Sequence, residues 1–237
     1  MTLHDRYIKG DCVNVWNEIN NLYFDELTAT LKEDVLKVIN MTVERVKYNV
    51  ESIACQLLSI GYITNIKDVI SYPTLNQQNE LKDIQTIIEK YGYLPLLLIS
   101  LYKVIDKIDF VKVIADNSLF DLSDPLYIES IHNELSILDE SWEEISDEKL
   151  ENNLPIGYPI SPDLYHKNNI SGGLPYEIEI SKHHKIDSLI FNTPYCKNIY
   201  FVDYLRLCFS SGGFPSLKNN KKSKDLIVFL SKKLLPI

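Results

Sequence analysis

The residues best suited to chemistry lie in one polar stretch, residues 158–180. Asp163 and His166 stand three positions apart, and a carboxylate beside an imidazole can form an acid–base pair or contribute metal ligands. His183 and His184 follow downstream as further ligand types. The stretch has no HExxH motif and no third ligand at a fixed spacing. The alternative is a turn capped by Asp163, with an exposed histidine.

Lys167 opens a second candidate site, because it precedes two asparagines and the run Ser171-Gly-Gly. Backbone N–H groups in such a segment can form a nest that binds an anion. The order of glycine and lysine excludes a nucleotide-triphosphatase phosphate loop. The candidate binding residues of this stretch are Asp163, His166, Lys167, Asn169, Ser171 and Tyr176.

The backbone of this stretch is predicted to be a rigid loop that leads into a strand. Pro159 and Pro162 exclude a helix, because proline lacks the N–H donor and fixes φ. Gly172 and Gly173 allow positive φ and close backbone approach. The alternation over residues 176–180 predicts a strand. Such loops often carry binding residues. The open alternative is a rigid surface loop whose polar groups hydrogen-bond only to one another.

Composition limits the classes of protein that this chain can be. Its 237 residues suffice for one large domain or two small ones, and 45% hydrophobic content is typical of a globular protein. The formal net charge of −9 disfavours a nucleic-acid partner, since such proteins normally carry a basic surface.

The negative charge is concentrated in residues 129–151, which hold nine carboxylates and one lysine, whereas residues 218–233 hold six lysines and one aspartate. One interpretation is a solvated helix face and loop. The other is an acidic docking surface that attracts a basic protein partner, with Glu140, Glu143 and Glu144 as candidate contacts.

The four cysteines, Cys12, Cys55, Cys196 and Cys208, are scattered and form no CxxC pair, so a cysteine zinc site is not expected. Their apolar neighbours predict reduced, buried thiols. Arg206 is expected to have a structural role, either pairing with a carboxylate or holding the loop.

The N-terminus lacks an apolar signal core, and no apolar run is long enough to span a membrane. We therefore expect a cytoplasmic protein that has no membrane partner. No metal and no cofactor are expected, since no zinc spacing and no nucleotide-binding loop stand out.

Helical periodicity dominates the first third of the chain. Apolar spacing predicts helices over residues 5–20 and 31–60, the second ending at Gly61, and the two can pack as an antiparallel hairpin. Residues 65–76 indicate a connection. The predicted division is therefore a helical region over residues 1–75 and an α+β region over 76–237, or one compact unit.

The rest of the chain mixes helices with short strands. Helices are predicted over residues 81–90, from Pro95 onward, over 199–209 and over 222–235, and strands near 108–110, 126–130, 174–180 and 188–191. The expected fold class is α+β: an N-terminal helical hairpin followed by a small mixed or antiparallel sheet packed with helices.

Three passages, residues 94–110, 161–180 and 201–217, resemble a group of bacterial proteins in or near the SUKH superfamily. The helical passages 10–19 and 46–62 are similar to the N-terminal half of the same group. That superfamily includes a fungal cell-wall-synthesis regulator and many bacterial toxin-immunity proteins. The resemblance implies an α+β interaction protein that binds a toxin, with no catalytic residues.

Two functions are therefore expected. The first is a non-enzymatic protein of the immunity type, which neutralises a protein partner through residues 129–151 or the polar loop. The alternative is a small-ligand or metal-binding protein, or an enzyme, that uses residues 163–171 and has a concave pocket there.

Overall fold

A computed structural model describes residues 1–116, 118–195, 197–219 and 223–237. The fold is α+β, as predicted, with a helical N-terminal region followed by two small antiparallel sheets and further helices. The helices are α1 (Leu3–Ile8), α2 (Cys12–Ile19), α3 (Ala29–Ser59), α4 (Gln77–Ile88), α5 (Leu96–Tyr102), α6 (Ile131–Ile137), α7 (Glu140–Glu151), α8 (Phe201–Phe209) and α9 (Lys224–Ser231). The strands are β1 (Ile70–Ser71), β2 (Lys107–Asp109), β3 (Tyr127–Ile128), β4 (Ile156–Ser161), β5 (Tyr176–Ile180), β6 (Leu189–Phe191) and β7 (Ile199–Tyr200).

The helical region departs from the prediction at its start. Residues 5–20 form two helices, because Gly10 has a φ of 95° and interrupts the chain between α1 and α2. The long helix α3 has 31 residues and is followed by Gly61 in the left-handed region, as its sequence predicted. Trp16 of α2 donates from Nε1 to the Thr42 hydroxyl of α3 inside the core, at 3.2 Å.

The two sheets have the strand orders β1-β2-β3 and β4-β5-β6-β7, and all their pairs are antiparallel. A hydrogen bond from Glu129 N to Ile160 O, 2.9 Å long, connects the end of β3 to β4. The alternating residues Tyr176, Ile178 and Ile180 of β5 are all buried, which confirms the strand that they predicted.

Strand β4 was not predicted, because proline suggested only a loop there. Pro159 lies at a register shift between Pro159 and Ser161, where the ladder is irregular and a missing N–H is tolerated. Helix α7 covers the strand, and Trp142 Nε1 donates to Gly157 O at 3.3 Å. A Cβ at Gly157 would lie 2.4 Å from Glu177 Oε2, so this position requires glycine.

Two of the thiols are buried as predicted, those of Cys12 and Cys208. The prediction for Cys55 is wrong: its side chain is exposed, since position 55 faces away from the buried stripe of α3. Cys196 lies outside the described residues. Across the described ranges, no helix combines the length and apolar character needed to cross a bilayer.

Candidate functional site

The candidate site centres on residues 162–175, which connect β4 to β5 and which we call the Pro-Gly loop. A 3₁₀ turn over His166–Asn168 forms its middle. Asn169 ends the turn with a φ of 57°, a left-handed conformation that asparagine tolerates better than most residues. Asn169 and Ser171 are both exposed. The loop is thus an ordered turn that presents its second half to solvent.

Asp163 is directed into the loop itself. Its Oδ1 accepts the backbone N–H groups of Tyr165, at 2.7 Å, and of His166, at 3.3 Å, and its Oδ2 pairs with His166 Nδ1. Burial alone raises the pKa of the Asp163 carboxyl, but the hydrogen bonds from His166 and from the two N–H groups outweigh it and lower the pKa. The His166 ring is half exposed. The geometry is that of the capped turn with an exposed histidine.

Lys167 lies on the opposite, inner side of the loop. Its side chain is fully buried, with Nζ 2.7 Å from Asp124 Oδ1 and 4.6 Å from the centre of the Tyr176 ring. The second oxygen of Asp124 accepts the hydroxyls of Tyr176 and Tyr195. Tyr195 also contacts the Ser216 hydroxyl at 2.9 Å. The buried ammonium is therefore directed to Asp124, away from any anion on the surface.

We call these five residues the Asp124 network: Asp124, Lys167, Tyr176, Tyr195 and Ser216. Burial, and next the nearby Asp124 carboxylate, raise the pKa of both tyrosines, so their hydroxyls remain protonated donors. The network connects the loop to the turn before β3, to the segment before β7 and to the chain after α8. It anchors the Pro-Gly loop from beneath.

Sequence reasoning missed three members of the network, Asp124, Tyr195 and Ser216. Asp124 lies in a strained turn, with Leu122 and Asp124 at φ values of 53° and 50°. No local sequence pattern connects Asp124 to Lys167, because the two residues are 43 positions apart.

The exposed surface of the loop carries apolar side chains beside its polar ones. Four large side chains are exposed here, and we call them the apolar loop patch: Leu122 at 46%, Tyr165 at 49%, Ile170 at 47% and Leu174 at 65%. Leu122 N donates to Asn168 Oδ1 at 2.9 Å, which holds Leu122 against the loop. Ile170 N donates to Tyr165 O at 2.9 Å. Clustered exposed apolar side chains commonly mark an interaction surface.

The acidic segment forms α7, which begins at the cap Asp139, whose Oδ1 accepts Trp142 N at 3.0 Å. Glu140, Glu143 and Glu144 are exposed, as the docking interpretation requires. Lys149, in the last turn of α7, contacts the start of β5, with its Nζ 3.6 Å from Glu177 Oε2. The three glutamates lie five to nine positions before Lys149, which places them roughly 7–14 Å from it along the helix.

The predicted histidines do not assemble a metal centre. His184 stacks on Tyr93, with ring centres 3.7 Å apart, and His183 contacts Tyr23. Within the part of the chain that the structure describes, no group of three or more His, Cys, Asp or Glu side chains could hold a metal ion.

Comparison of the chain with protein-family models, with curated proteins and with solved structures finds no match. The resemblance to SUKH proteins stays a prediction, and the site is interpreted from its own geometry.

Proposed function

We propose that this chain is a non-enzymatic protein-binding protein of the bacterial immunity type, which acts in the cytoplasm and neutralises a toxin by docking on it. The observation that carries the proposal is the apolar loop patch, held in place by a buried charge pair. A loop fixed before binding loses little conformational entropy in a complex, which favours affinity.

The rigidity of the loop arises on both of its sides. Asp163 fixes the first turn through backbone N–H groups, and Lys167 connects the same turn to Asp124. Exposed apolar side chains on such a base cannot easily fold back to bury themselves. They therefore suit a complementary apolar recess on a partner, where a few fully buried side chains provide most of the binding energy.

Helix α7 indicates the charge of the partner. Its exposed carboxylates create a negative field beside the sheet that carries the loop, and such a field accelerates association with a basic surface. The partner proposed here is accordingly a basic protein with an apolar recess.

The alternative, a ligand-binding or catalytic use of residues 163–171, has less support. Asp163 is turned toward backbone N–H groups, and the Lys167 ammonium has no exposed surface. His166, Asn169 and Ser171 are the exposed polar members. Elemental analysis and a thermal-shift panel of metabolites and metal ions test this alternative, which a saturable stabilisation dependent on His166 would favour.

The docking proposal is tested with a paired substitution and a matched control. Ile170→Asp/Leu174→Asp places charge in the apolar loop patch, whereas Leu75→Asp changes a fully exposed leucine in the connection before α4. We expect the unmodified chain and Leu75→Asp to capture one stoichiometric partner from the native host, and the double variant to lose it. The purified partner should be toxic to cells, and the chain should suppress that toxicity.

Capture by the double variant at the level of the control would contradict the assignment of the surface. Absence of any stoichiometric partner, or a partner without toxicity, would contradict the immunity function itself. The role of charge is measured separately with Glu140→Gln/Glu143→Gln/Glu144→Gln, which should slow association several-fold at low salt and leave it unchanged at high salt.

A further inference from the structure

The second feature of the molecule that resembles a binding site is far from the Pro-Gly loop in sequence. Residues 235–237, beyond the end of α9, contact side chains of α2, α3 and α8. Asn49 of α3 is fully buried, and its amide donates from Nδ2 to Leu235 O at 2.9 Å. Leu235 N donates back to Asn49 Oδ1 at 2.7 Å. One buried side chain thus pairs with both main-chain groups of Leu235.

Two arginines donate to the main-chain oxygens of the next two residues. Arg45, one helical turn before Asn49, donates from Nη1 to Pro236 O at 2.8 Å. Arg206 of α8 donates from Nε to Ile237 O at 2.7 Å. The Arg45 guanidinium lies over the Tyr7 ring, 4.6 Å from its centre.

The Arg206 guanidinium is held by two further contacts. It donates from Nη2 to Cys12 O at 3.1 Å and pairs through Nη1 with Asp203 Oδ1 at 2.6 Å. The expected pairing of Arg206 with a carboxylate is therefore confirmed, and the segment that it holds is the C-terminal one.

The main chain of this segment is bound by side chains in three successive residues. Among the described residues, no main-chain hydrogen bond connects residues 235–237 to another backbone group. Their side chains contribute unequally: Ile237 is only 3% exposed, whereas Leu235 is 41% exposed. This combination, main-chain contacts plus one buried aliphatic anchor, is how proteins hold extended peptide ligands.

The cleft also has room beside the segment. A groove of about 450 Å³ continues along it and is lined by Gly10, Val13, Phe209, Ser210 and the segment itself. Val13 is 54% exposed and gives the groove an apolar edge. The buried Asn49 amide needs a donor and an acceptor, because a buried amide without partners is costly. Any extended peptide backbone supplies that pair.

From these contacts we infer that the cleft between α2, α3 and α8 is a peptide-binding site of its own. Its ligand class is an extended peptide with a branched aliphatic side chain at the position of Ile237. Residues 235–237 of the chain occupy it as an intramolecular ligand, and a segment of the same type from another molecule competes with them. This site is independent of the proposed docking surface.

The test uses the full chain and a fluorescent peptide with the sequence of residues 232–237, Lys-Lys-Leu-Leu-Pro-Ile. Ile237→Asp removes the aliphatic anchor of the chain's own C-terminal segment, which then competes less well for the cleft. The peptide should therefore bind this variant at least tenfold more tightly than the unmodified chain, as measured by fluorescence anisotropy. Adding Asn49→Leu replaces the amide with an apolar side chain of similar volume and removes both hydrogen bonds to the main chain of residue 235. The tighter binding of the peptide should then be lost. A peptide ending in Asp should not bind.

Circular dichroism establishes that each variant is folded, and Ile237→Ala repeats the measurement with a smaller disturbance. The inference is overturned if a folded Ile237 variant binds the peptide no more tightly than the unmodified chain. It is equally overturned if the peptide binds as well when Asn49 is leucine.

Discussion

The Lys167 ammonium is completely removed from water in this fold, and its ion pair with Asp124 offsets the cost of that desolvation. A buried ammonium is stable only beside a negative partner whose remaining lone pairs are also satisfied. The hydroxyls of Tyr176 and Tyr195 satisfy them here. At the scale of the residue, the network therefore supports the loop without being available to a ligand.

Lys167→Met should destabilise the protein by about 3–5 kcal/mol, because it leaves Asp124 buried without a counter-charge. The double variant Lys167→Met/Asp124→Asn should recover a large part of this loss, since asparagine tolerates the positive φ at position 124 and carries no charge. Urea unfolding measures both variants. Equal stability of the single variant and the unmodified chain would show that the pair is not needed.

Asp187 is a second fully buried carboxyl, and it supports α8. Its oxygens accept Ser188 N at 2.8 Å and Val202 N, in the first turn of α8, at 3.0 Å. Burial raises its pKa to about 7, although the two N–H groups oppose the rise. Because the folded pKa exceeds the ordinary value of 3.8, its contribution to stability is complete below about pH 4 and is lost as the pH rises through about 7.

Asp187→Asn removes the titration and keeps one of the two acceptor oxygens, so it lowers stability by an amount that does not depend on pH. Relative to this variant, the unmodified chain should lose roughly a few kcal/mol of unfolding free energy between pH 4 and pH 8. Urea unfolding at intervals across that range gives the difference. A difference that does not change with pH would mean that Asp187 is ionised throughout the range.

At the scale of the element, the Pro-Gly loop depends on Gly173. It has a φ of 86°, and a Cβ there would lie 2.4 Å from Asp163 Oδ1, inside the cap that holds the first turn. Gly172, with a φ of 124°, faces open space. Substitution at Gly172 therefore tests backbone strain alone, whereas substitution at Gly173 tests strain together with a steric clash.

Gly173→Ala should therefore cost more stability than Gly172→Ala, by about 1 kcal/mol or more on top of a strain of roughly 1–3 kcal/mol that both share. Thermal and urea unfolding of the two variants provide the comparison. Equal losses would indicate that Asp163 moves aside without cost and that the cap does not fix the loop.

At the scale of the whole molecule, α3 contacts elements from both predicted regions. It packs against α1 on one side of the predicted boundary at residue 75, and against α5 and α9 on the other. The buried apolar residues form one continuous core cluster that includes the stripe of α3. A helix shared in this way cannot lose its packing on one side without weakening the other.

Unfolding should accordingly be a single cooperative transition, with calorimetric and van't Hoff enthalpies that agree. Differential scanning calorimetry measures both. Two separate transitions would instead favour the division into residues 1–75 and 76–237, which stays a prediction.

Sequence alone determined the features that depend on neighbours along the chain. The 3.6-residue stripe of α3, the stop at Gly61 and the alternation in β5 all involve partners within a few positions, so local chemistry decides them. The α+β class follows from the order of those elements.

Tertiary structure decided whatever depends on residues that are distant in sequence. Local pattern indicated that Lys167 was a candidate for anion binding, but packing against Asp124 placed its charge inside the protein. Packing also made a strand of residues 156–161 despite Pro159, exposed Cys55 and brought residues 235–237 to Asn49. Burial is a property of the folded chain as a whole, and burial sets whether a polar group binds a partner or supports the core.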